Sequence, residues 1–280
     1  MTESGAPDPG ALNAGALNAG ALRDLAREIG LEAAALAARM RRDGIEVAAT
    51  KSSATDVVTE ADRAVEDLIR ERLRAARPDD GFLGEESGGP GERGSGVTWI
   101  VDPIDGTVNF LYGIPAYAVS IAAEVDGRVQ AGVVVDIATG EVWSAVRGQG
   151  SFRGERPLRI RDSGPLGHWL VRTGFGYAAD LRAVQAVAVT RMLPQVRDIR
   201  RIGSCALDLC AIAAGESDAY VEEGVHDWDH AAAGLIAEEA GAAWEVLRGA
   251  SGADLLLVAP ADRFAEFRAL VLDCGFAAAG

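Results

Sequence analysis

The chain has 280 residues, a formal net charge of −15 and a hydrophobic fraction of 49%. This composition is typical of a folded globular protein and excludes an intrinsically disordered chain. The negative charge disfavours a general role in binding nucleic acid, whose phosphates it would repel. A phosphorylated small molecule would be repelled as well, so a phosphate site here needs its own positive charge, most simply metal ions.

The three cysteines are spread along the chain, without the CxxC spacing of a zinc site or the density of a disulfide scaffold. We therefore predict reduced thiols and a cytoplasmic protein. The N-terminus lacks a basic segment followed by an apolar one, and no run approaches the roughly 18 apolar residues that a membrane span needs. No membrane partner is expected.

Helical periodicity dominates the first part of the chain. Residues 1–21 are rich in Gly, Ala, Asn and Pro and are predicted to form an irregular lead-in. Apolar residues recur at helical spacing over residues 22–42, which predicts an amphipathic helix. A second helix is predicted to begin at Thr59, whose hydroxyl can cap it, and to end before Pro78. Asp62 then lies in its first turn.

Strand patterns follow. A compact apolar run at residues 97–101 predicts a buried strand that stops at Asp102, and the alternation over residues 116–160 predicts an antiparallel meander. We therefore expect an α+β domain over residues 22–162 and a smaller α/β domain over residues 163–280, in which strands alternate with helices. The elements predicted in this second half are 204–214, 220–222, 229–240, 255–258 and 263–273.

Three acidic motifs, GEES, VDPIDGT and WDHAAAG, occur where predicted elements begin or end, which is where functional side chains are usually presented. If their carboxylates converge, repulsion between them requires cations in the same pocket. Mg²⁺ prefers such oxygen ligands, and no cluster of His or Cys competes for a softer metal. The carboxylates in question belong to Glu85, Asp102, Asp105 and Asp229.

The DPID segment has features that suit a pair of metal ions. Pro103 stiffens the turn, so that the two flanking carboxylates and the Ile104 carbonyl can address two ions. Gly106 and Thr107 open a predicted helix whose free N–H groups can face a phosphate. Hydrolysis of a phosphate ester also needs a positioned water, and Thr107 and Glu85 are the candidates for activating it.

These residues carry a resemblance to a known family. WIVDPIDGTVNF, GEES and WDHAAAGLIAEEAG resemble the three signature segments of the inositol monophosphatase family. KSSATDVVTEAD, IGSCALDLC and YVEEGVHDWD match further family segments in the family's order, so the resemblance spans most of the chain. The fold it implies is a layered αβαβα sandwich with an N-terminal antiparallel sheet domain and a smaller C-terminal α/β domain.

The resemblance implies a Mg²⁺-dependent phosphomonoesterase, with two or three ions in each active site, that hydrolyses myo-inositol 1-phosphate by a metal-activated water. It also implies inhibition by lithium and a homodimer. Thr107 paired with Asp62, together with Glu85, would help to activate the water. The implied metal ligands are Glu85, Asp102, Ile104 through its carbonyl, Asp105 and Asp229.

The same resemblance implies a set of substrate contacts, with the phosphate on the start of the DGT helix and the alcohol ring opposite. Val108 replaces a Thr that is common in the family, and Cys205 replaces a small Ala, but neither change removes a ligand. The implied contacts are Asp105, Gly106, Thr107, Ser204, Cys205, Glu222 and Asp229.

Simpler interpretations of several residues stay open. Asp62 and Asp229 each lie near a predicted helix start and could act only as caps. Lys51, the one lysine of the chain, suits a solvated surface as well as a place beside the site. We interpret His226 and His230 as structural, because further zinc ligands are missing around them.

Other functions share the same acidic core. Phosphatases of histidinol phosphate, sugar bisphosphates and 3'-phosphonucleotides resemble this sequence too, although TVNF and the Glu222 position look more like the inositol monophosphatase branch. Some bacterial relatives also bind the transcription machinery, which makes an added regulatory role the alternative from another class.

Overall fold

The computed structural model of the protein describes residues 18–44, 47–50, 57–87 and 96–278. Lys51 and residues 1–17 of the predicted lead-in lie outside the described residues. In chain order the α-helices of the described residues are α1 (Ala19–Asp43), α2 (Glu60–Ala76), α3 (Thr107–Tyr112), α4 (Ala179–Met192), α5 (Cys205–Ala213), α6 (Asp227–Glu239) and α7 (Phe264–Cys274).

The strands form three sheets. A two-stranded sheet pairs β1 with β2, a seven-stranded sheet has the order β3-β4-β5-β6-β7-β8-β9, and a five-stranded sheet has the order β11-β10-β12-β14-β13. The strands are β1 (Val47–Thr50), β2 (Val57–Thr59), β3 (Gly81–Gly84), β4 (Val97–Asp105), β5 (Ala118–Val125), β6 (Arg128–Asp136), β7 (Val142–Val146), β8 (Ser151–Arg153), β9 (Arg156–Pro157), β10 (Leu170–Thr173), β11 (Asp198–Arg200), β12 (Ala219–Glu223), β13 (Ala242–Arg248) and β14 (Asp254–Pro260).

These elements stack in five layers. Helices α1 and α2 cover one face of the seven-stranded sheet, and α5 and α6 lie between its other face and the five-stranded sheet. Helices α4 and α7 cover the outer face of the five-stranded sheet. The buried apolar residues of the described segments form three cores: one between the seven-stranded sheet and α1 and α2, one around α5 and α6 between the two sheets, and one between the five-stranded sheet and α4 and α7. The expected αβαβα sandwich is confirmed.

The first two helices begin close to where the sequence predicts. Helix α1 begins at Ala19, inside the predicted lead-in, because the Asn18 side-chain oxygen accepts hydrogen bonds from the backbone N–H groups of Gly20 and Ala21 at 3.0 and 3.3 Å. The predicted cap of α2 is confirmed, since the Thr59 side chain accepts from the backbone of Asp62. Helix α2 therefore starts with Asp62 held in its first turn.

Strand β4 differs from its prediction. It does not stop at Asp102 but continues to Asp105, and all of its residues are buried. Its pairing with β5 is irregular between Asp102 and Asp105, because Pro103 has no N–H to donate to the ladder. The two aspartates therefore lie in an irregular end of a buried strand.

A glycine sets the distance between β6 and α6. A Cβ atom added at Gly132 would lie 2.7 Å from the carbonyl oxygen of Ala232, well inside contact distance. The backbone of α6 therefore packs directly on the seven-stranded sheet. This close packing holds the start of α6, with Asp229, beside the neighbouring strands.

The last strand of the seven-stranded sheet ends at Pro157, and the first strand of the five-stranded sheet begins at Leu170. The predicted domain boundary, between residues 162 and 163, therefore lies in the segment that joins the two sheets. That each side is a separate domain stays a prediction. Among the described residues, no helix combines the length and the apolar character that crossing a lipid bilayer requires.

Candidate active site

The acidic motifs converge on one cleft of about 430 Å³ between the two large sheets. Asp102 and Asp105 come from the end of β4, and Asp229 comes from the first turn of α6. Each offers a carboxylate oxygen, and these oxygens all lie within 4.8 Å of one another. Glu85, which directly follows β3, and Ile104 line the same cleft. The structure thus brings the predicted metal ligands together.

Burial and mutual repulsion make this cluster unfavourable when it is charged and metal-free. Burial is the largest cause that raises the pKa values of Asp102 and Asp229 well above their usual range, and the charge of Glu85 raises both further. None of the ion pairs among the described residues involves Asp102, Asp105 or Asp229. A hard divalent cation would supply the missing positive charge with the oxygen ligands it prefers.

Asp105 links the two halves of the cleft. Its carboxylate accepts hydrogen bonds from the Ser204 hydroxyl and from the backbone N–H groups of Cys205 (3.2 Å) and Ala206 (2.8 Å), at the start of α5. Burial raises the pKa of Asp105 to about 6, and these hydrogen bonds oppose the rise. Ser204 therefore faces Asp105, whereas Cys205 also lines the cleft.

Asp62 serves both as a helix cap and as a neighbour of Thr107. Its Oδ2 atom accepts from the Thr59 backbone N–H at 2.8 Å, and its Oδ1 atom lies 3.1 Å from the Thr107 hydroxyl. The same hydroxyl lies 3.1 Å from the Ile104 carbonyl oxygen. Burial raises the pKa of Asp62, against hydrogen bonds from Thr59. Asp62 thus caps α2 and contacts Thr107, and its part in activating a water stays a prediction.

Asp229 likewise has two local roles. It completes a capping box at the start of α6, where its Oδ2 atom accepts from the His226 backbone N–H at 2.5 Å. Its other carboxylate oxygen remains available to a ligand in the cleft. The ring of His226, which was interpreted as structural, packs on Trp228 at a centroid distance of 4.8 Å. Among the described residues, the group of side chains that could hold a metal ion consists of aspartates and includes no histidine.

The donor atoms of the candidate site indicate which kind of metal ion they suit. All the candidate donors are oxygens, three of them buried or half-buried carboxylates that no cation neutralises among the described ion pairs. The Ile104 N–H donates to Asp102 Oδ1 at 3.0 Å, which holds this carboxylate against the irregular end of β4. Such a set fits Mg²⁺ better than a softer ion.

Part of the opposite wall of the cleft was not predicted from the sequence. The loop that follows β10 contributes Phe175 and Tyr177, and Arg201 precedes α5 at the same wall, together with the predicted Glu222. No motif marks this loop. Gly106 and Thr107, predicted to contact the phosphate, line the cleft on the side of β4.

Two supporting residues were also missed. The Asn109 side-chain amide donates to the carbonyl oxygens of Ala116 and Ile202, both at 2.9 Å, and so ties α3 to the segment before α5. Glu66 accepts from the Glu86 backbone N–H at 2.8 Å and holds the turn that carries Glu85. The signal for Glu66 was present, because it lies four residues after Asp62 and hence on the same side of α2.

The comparisons agree with this geometry. Residues 20–266 match the profile of the inositol monophosphatase family. An inositol-1-monophosphatase of Mycobacterium bovis is 48% identical over 265 residues, which is 88% of this chain and 91% of that protein. The structure of Mycobacterium tuberculosis SuhB is similar with a TM-score of 0.78 at 42% identity, covering 92% of this chain and 98% of that one. A Nus factor SuhB of Pasteurella multocida is 41% identical, covering 72% of this chain and 75% of that protein.

Proposed function

We propose that this chain, which belongs to the inositol monophosphatase family and is a phosphomonoester hydrolase, hydrolyses myo-inositol 1-phosphate to inositol and phosphate with Mg²⁺ as its cofactor. The observation that carries the proposal is the convergence of Asp102, Asp105 and Asp229, whose carboxylate oxygens lie within 4.8 Å of one another in the cleft. Relatives that are named inositol-1-monophosphatase support the choice of substrate.

Five residues are proposed as ligands of the two or three ions. Glu85, Asp102, Asp105 and Asp229 would hold the cations through their carboxylates, and Ile104 through its carbonyl oxygen. Bound Mg²⁺ supplies Lewis-acid stabilisation of the charge that develops on the phosphoryl group and on the leaving oxygen. The raised pKa values of the metal-free carboxylates support this assignment, because burial and mutual repulsion disfavour the uncompensated charges.

The residues of the chain itself would supply the proton transfer and the orientation. The Thr107 hydroxyl can donate its proton to Asp62 and accept one from the attacking water through a lone pair. Glu85, which lines the same cleft, would orient this water. The phosphate would rest against Gly106 and Thr107, while Cys205 and Glu222 face the alcohol and Ser204 keeps Asp105 in place.

A panel of phosphate esters tests the proposed substrate. With Mg²⁺ present, myo-inositol 1-phosphate is expected to give the highest kcat/KM, ahead of histidinol phosphate, fructose 1,6-bisphosphate and a 3'-phosphonucleotide. Phosphate release is measured for each ester at equal enzyme concentration, with an EDTA-treated sample as the control. A higher kcat/KM for one of the other three would replace inositol phosphate as the substrate, and undiminished turnover in EDTA would contradict the metal.

Binding of Mg²⁺ is expected to raise the melting temperature by at least about 5 °C at saturation, because the ion binds only the folded cluster. The folded-state pKa values of these aspartates lie above their unfolded values, with Asp105 at about 6. Protonation of the cluster therefore stabilises the metal-free fold at low pH, and this contribution is lost as the pH rises through the folded values. The rise in melting temperature on adding Mg²⁺ should therefore be larger at pH 8 than at pH 5. Equal increments at both pH values, measured by scanning calorimetry, would contradict the site.

An added regulatory role is a second candidate, supported by relatives that carry the name Nus factor SuhB. Such a role would survive a variant that has lost hydrolysis, which separates it from the enzymatic function. Lithium inhibition and a homodimer stay predictions from the family. The three cysteines are free and buried, which supports the proposed cytoplasmic location.

A further inference from the structure

The Glu222 carboxylate is held in one orientation by a neighbour on its own strand. Tyr220 and Glu222 are two residues apart on β12, so their side chains lie on the same face of the sheet. The Tyr220 hydroxyl donates a hydrogen bond to Glu222 Oε2 at 2.6 Å. Tyr220 has no exposed surface, so its ring has no freedom to move this hydroxyl elsewhere.

A second element closes on the same carboxylate. A Cβ atom added at Gly174 would lie between 1.9 and 2.1 Å from the carboxylate carbon and both oxygens of Glu222. The Glu222 side chain therefore lies directly against the backbone that follows β10. This backbone is itself fixed, because the Thr173 hydroxyl donates to the Val221 carbonyl oxygen at 2.7 Å and the two residues pair across β10 and β12.

The surroundings of the carboxylate make the hydroxyl important. Burial raises the pKa of Glu222, whereas the hydrogen bond from Tyr220, and then the charge of Arg201, lower it. The Tyr220 hydroxyl thus holds the Oε2 atom of Glu222, and Glu222 itself lines the cleft. An oriented acceptor of this kind discriminates substrates that carry a hydroxyl from those that do not.

We infer that Tyr220 is a positioning residue for substrate selection: its hydroxyl, with the Gly174 backbone opposite, holds the Glu222 carboxylate in place to accept hydrogen bonds from the hydroxyl groups of a polyol phosphate. The inference rests on the proposed function, in which Glu222 faces the alcohol. It separates two parts of the site. The phosphoryl group is handled on the side of β4, and the alcohol is selected through the pair on β12.

Tyr220→Phe tests this role by its effect on selectivity. The ratio of kcat/KM for myo-inositol 1-phosphate to that for phenyl phosphate, which has no hydroxyl on its ring, is expected to fall about tenfold, mainly through KM for the polyol. Gly174→Ala leaves the Tyr220 hydroxyl in place but displaces the same carboxylate, and it is expected to lower the same ratio. Tyr117→Phe is the matched control, because Tyr117 is a buried tyrosine that packs on Phe110, away from β12, and its ratio should stay that of the wild type.

A double-mutant cycle distinguishes positioning from a general structural role. In a Glu222→Gln background, Tyr220→Phe should change the ratio by less than about twofold, since the carboxylate it orients is already gone. An undiminished ratio in the Tyr220→Phe single variant, or an equal loss in both backgrounds, would overturn the inference. If Tyr220→Phe does not fold, the Gly174→Ala variant and its own cycle with Glu222→Gln decide the matter. Failure of the wild type to hydrolyse either ester with Mg²⁺ would instead contradict the proposed function.

Discussion

Asp102→Asn is expected to lower kcat for phosphate esters on the order of a thousandfold while the protein stays folded. Asp102 is 1% exposed and shares the cluster with Asp105 and Asp229. The carboxamide oxygen can still accept the hydrogen bond from the Ile104 N–H, so the local backbone keeps its support. What is lost is the negative charge that would hold the cations in the proposed site.

The prediction for Asp102→Asn also concerns the stability of the variant. Because burial and Glu85 raise the pKa of Asp102, its charge destabilises the metal-free fold at neutral pH, and the neutral side chain should melt no lower than the wild type without metal. The rise in melting temperature that Mg²⁺ causes should be smaller in the variant than in the wild type. Turnover and calorimetry, each with and without Mg²⁺, measure both effects.

Asp126→Asn is the matched control for this change. Asp126 is exposed in the turn between β5 and β6 with a φ of 51°, a conformation that Asn adopts readily. It removes the same charge from the chain without touching the cleft. Turnover by a folded Asp102→Asn protein at the wild-type rate, or a loss of activity of the same size in Asp126→Asn, would remove Asp102 from the proposed ligands.

Thr107→Val is expected to lower kcat about a hundredfold, with a smaller change in KM. The variant keeps the shape of the side chain but removes the hydroxyl that lies 3.1 Å from Asp62 and from the Ile104 carbonyl oxygen. In the proposed mechanism, the proton of the attacking water then has no direct path to Asp62. Steady-state kinetics with myo-inositol 1-phosphate at saturating Mg²⁺ measures the loss.

Two further variants frame the Thr107 result. Thr107→Ser restores a hydroxyl at the same position and should recover most of the activity. Thr98→Val makes the same chemical change at a buried position near the start of β4, seven residues before Asp105, and should retain wild-type kinetics. Wild-type kcat in Thr107→Val, or no recovery in Thr107→Ser, would exclude the hydroxyl from the proton transfer.

Much of the fold could be predicted from local patterns. Helix α2 begins where the Thr59 cap predicts, and the antiparallel meander of β5 to β9 follows the predicted alternation. Helix α4 was missed, because its buried positions include Gln185 while Val184 and Val187 are exposed, which leaves no apolar stripe to recognise. The end of β4 was predicted too early, because an irregular pairing around Pro103 cannot be read from the apolar run that precedes it.

The sequence by itself determined the family and the class of reaction, through six family segments in order, and it predicted the site residues from carboxylates at element ends and from the start of the DGT helix. The tertiary structure alone decided how they meet. It joined Asp62 to Thr107, turned Ser204 towards Asp105, and set Tyr220 and Gly174 around Glu222. The physical reason is that residue type and spacing act over a few neighbours along the chain, whereas these contacts depend on how β4, α5 and β12 pack across the interface between two sheets.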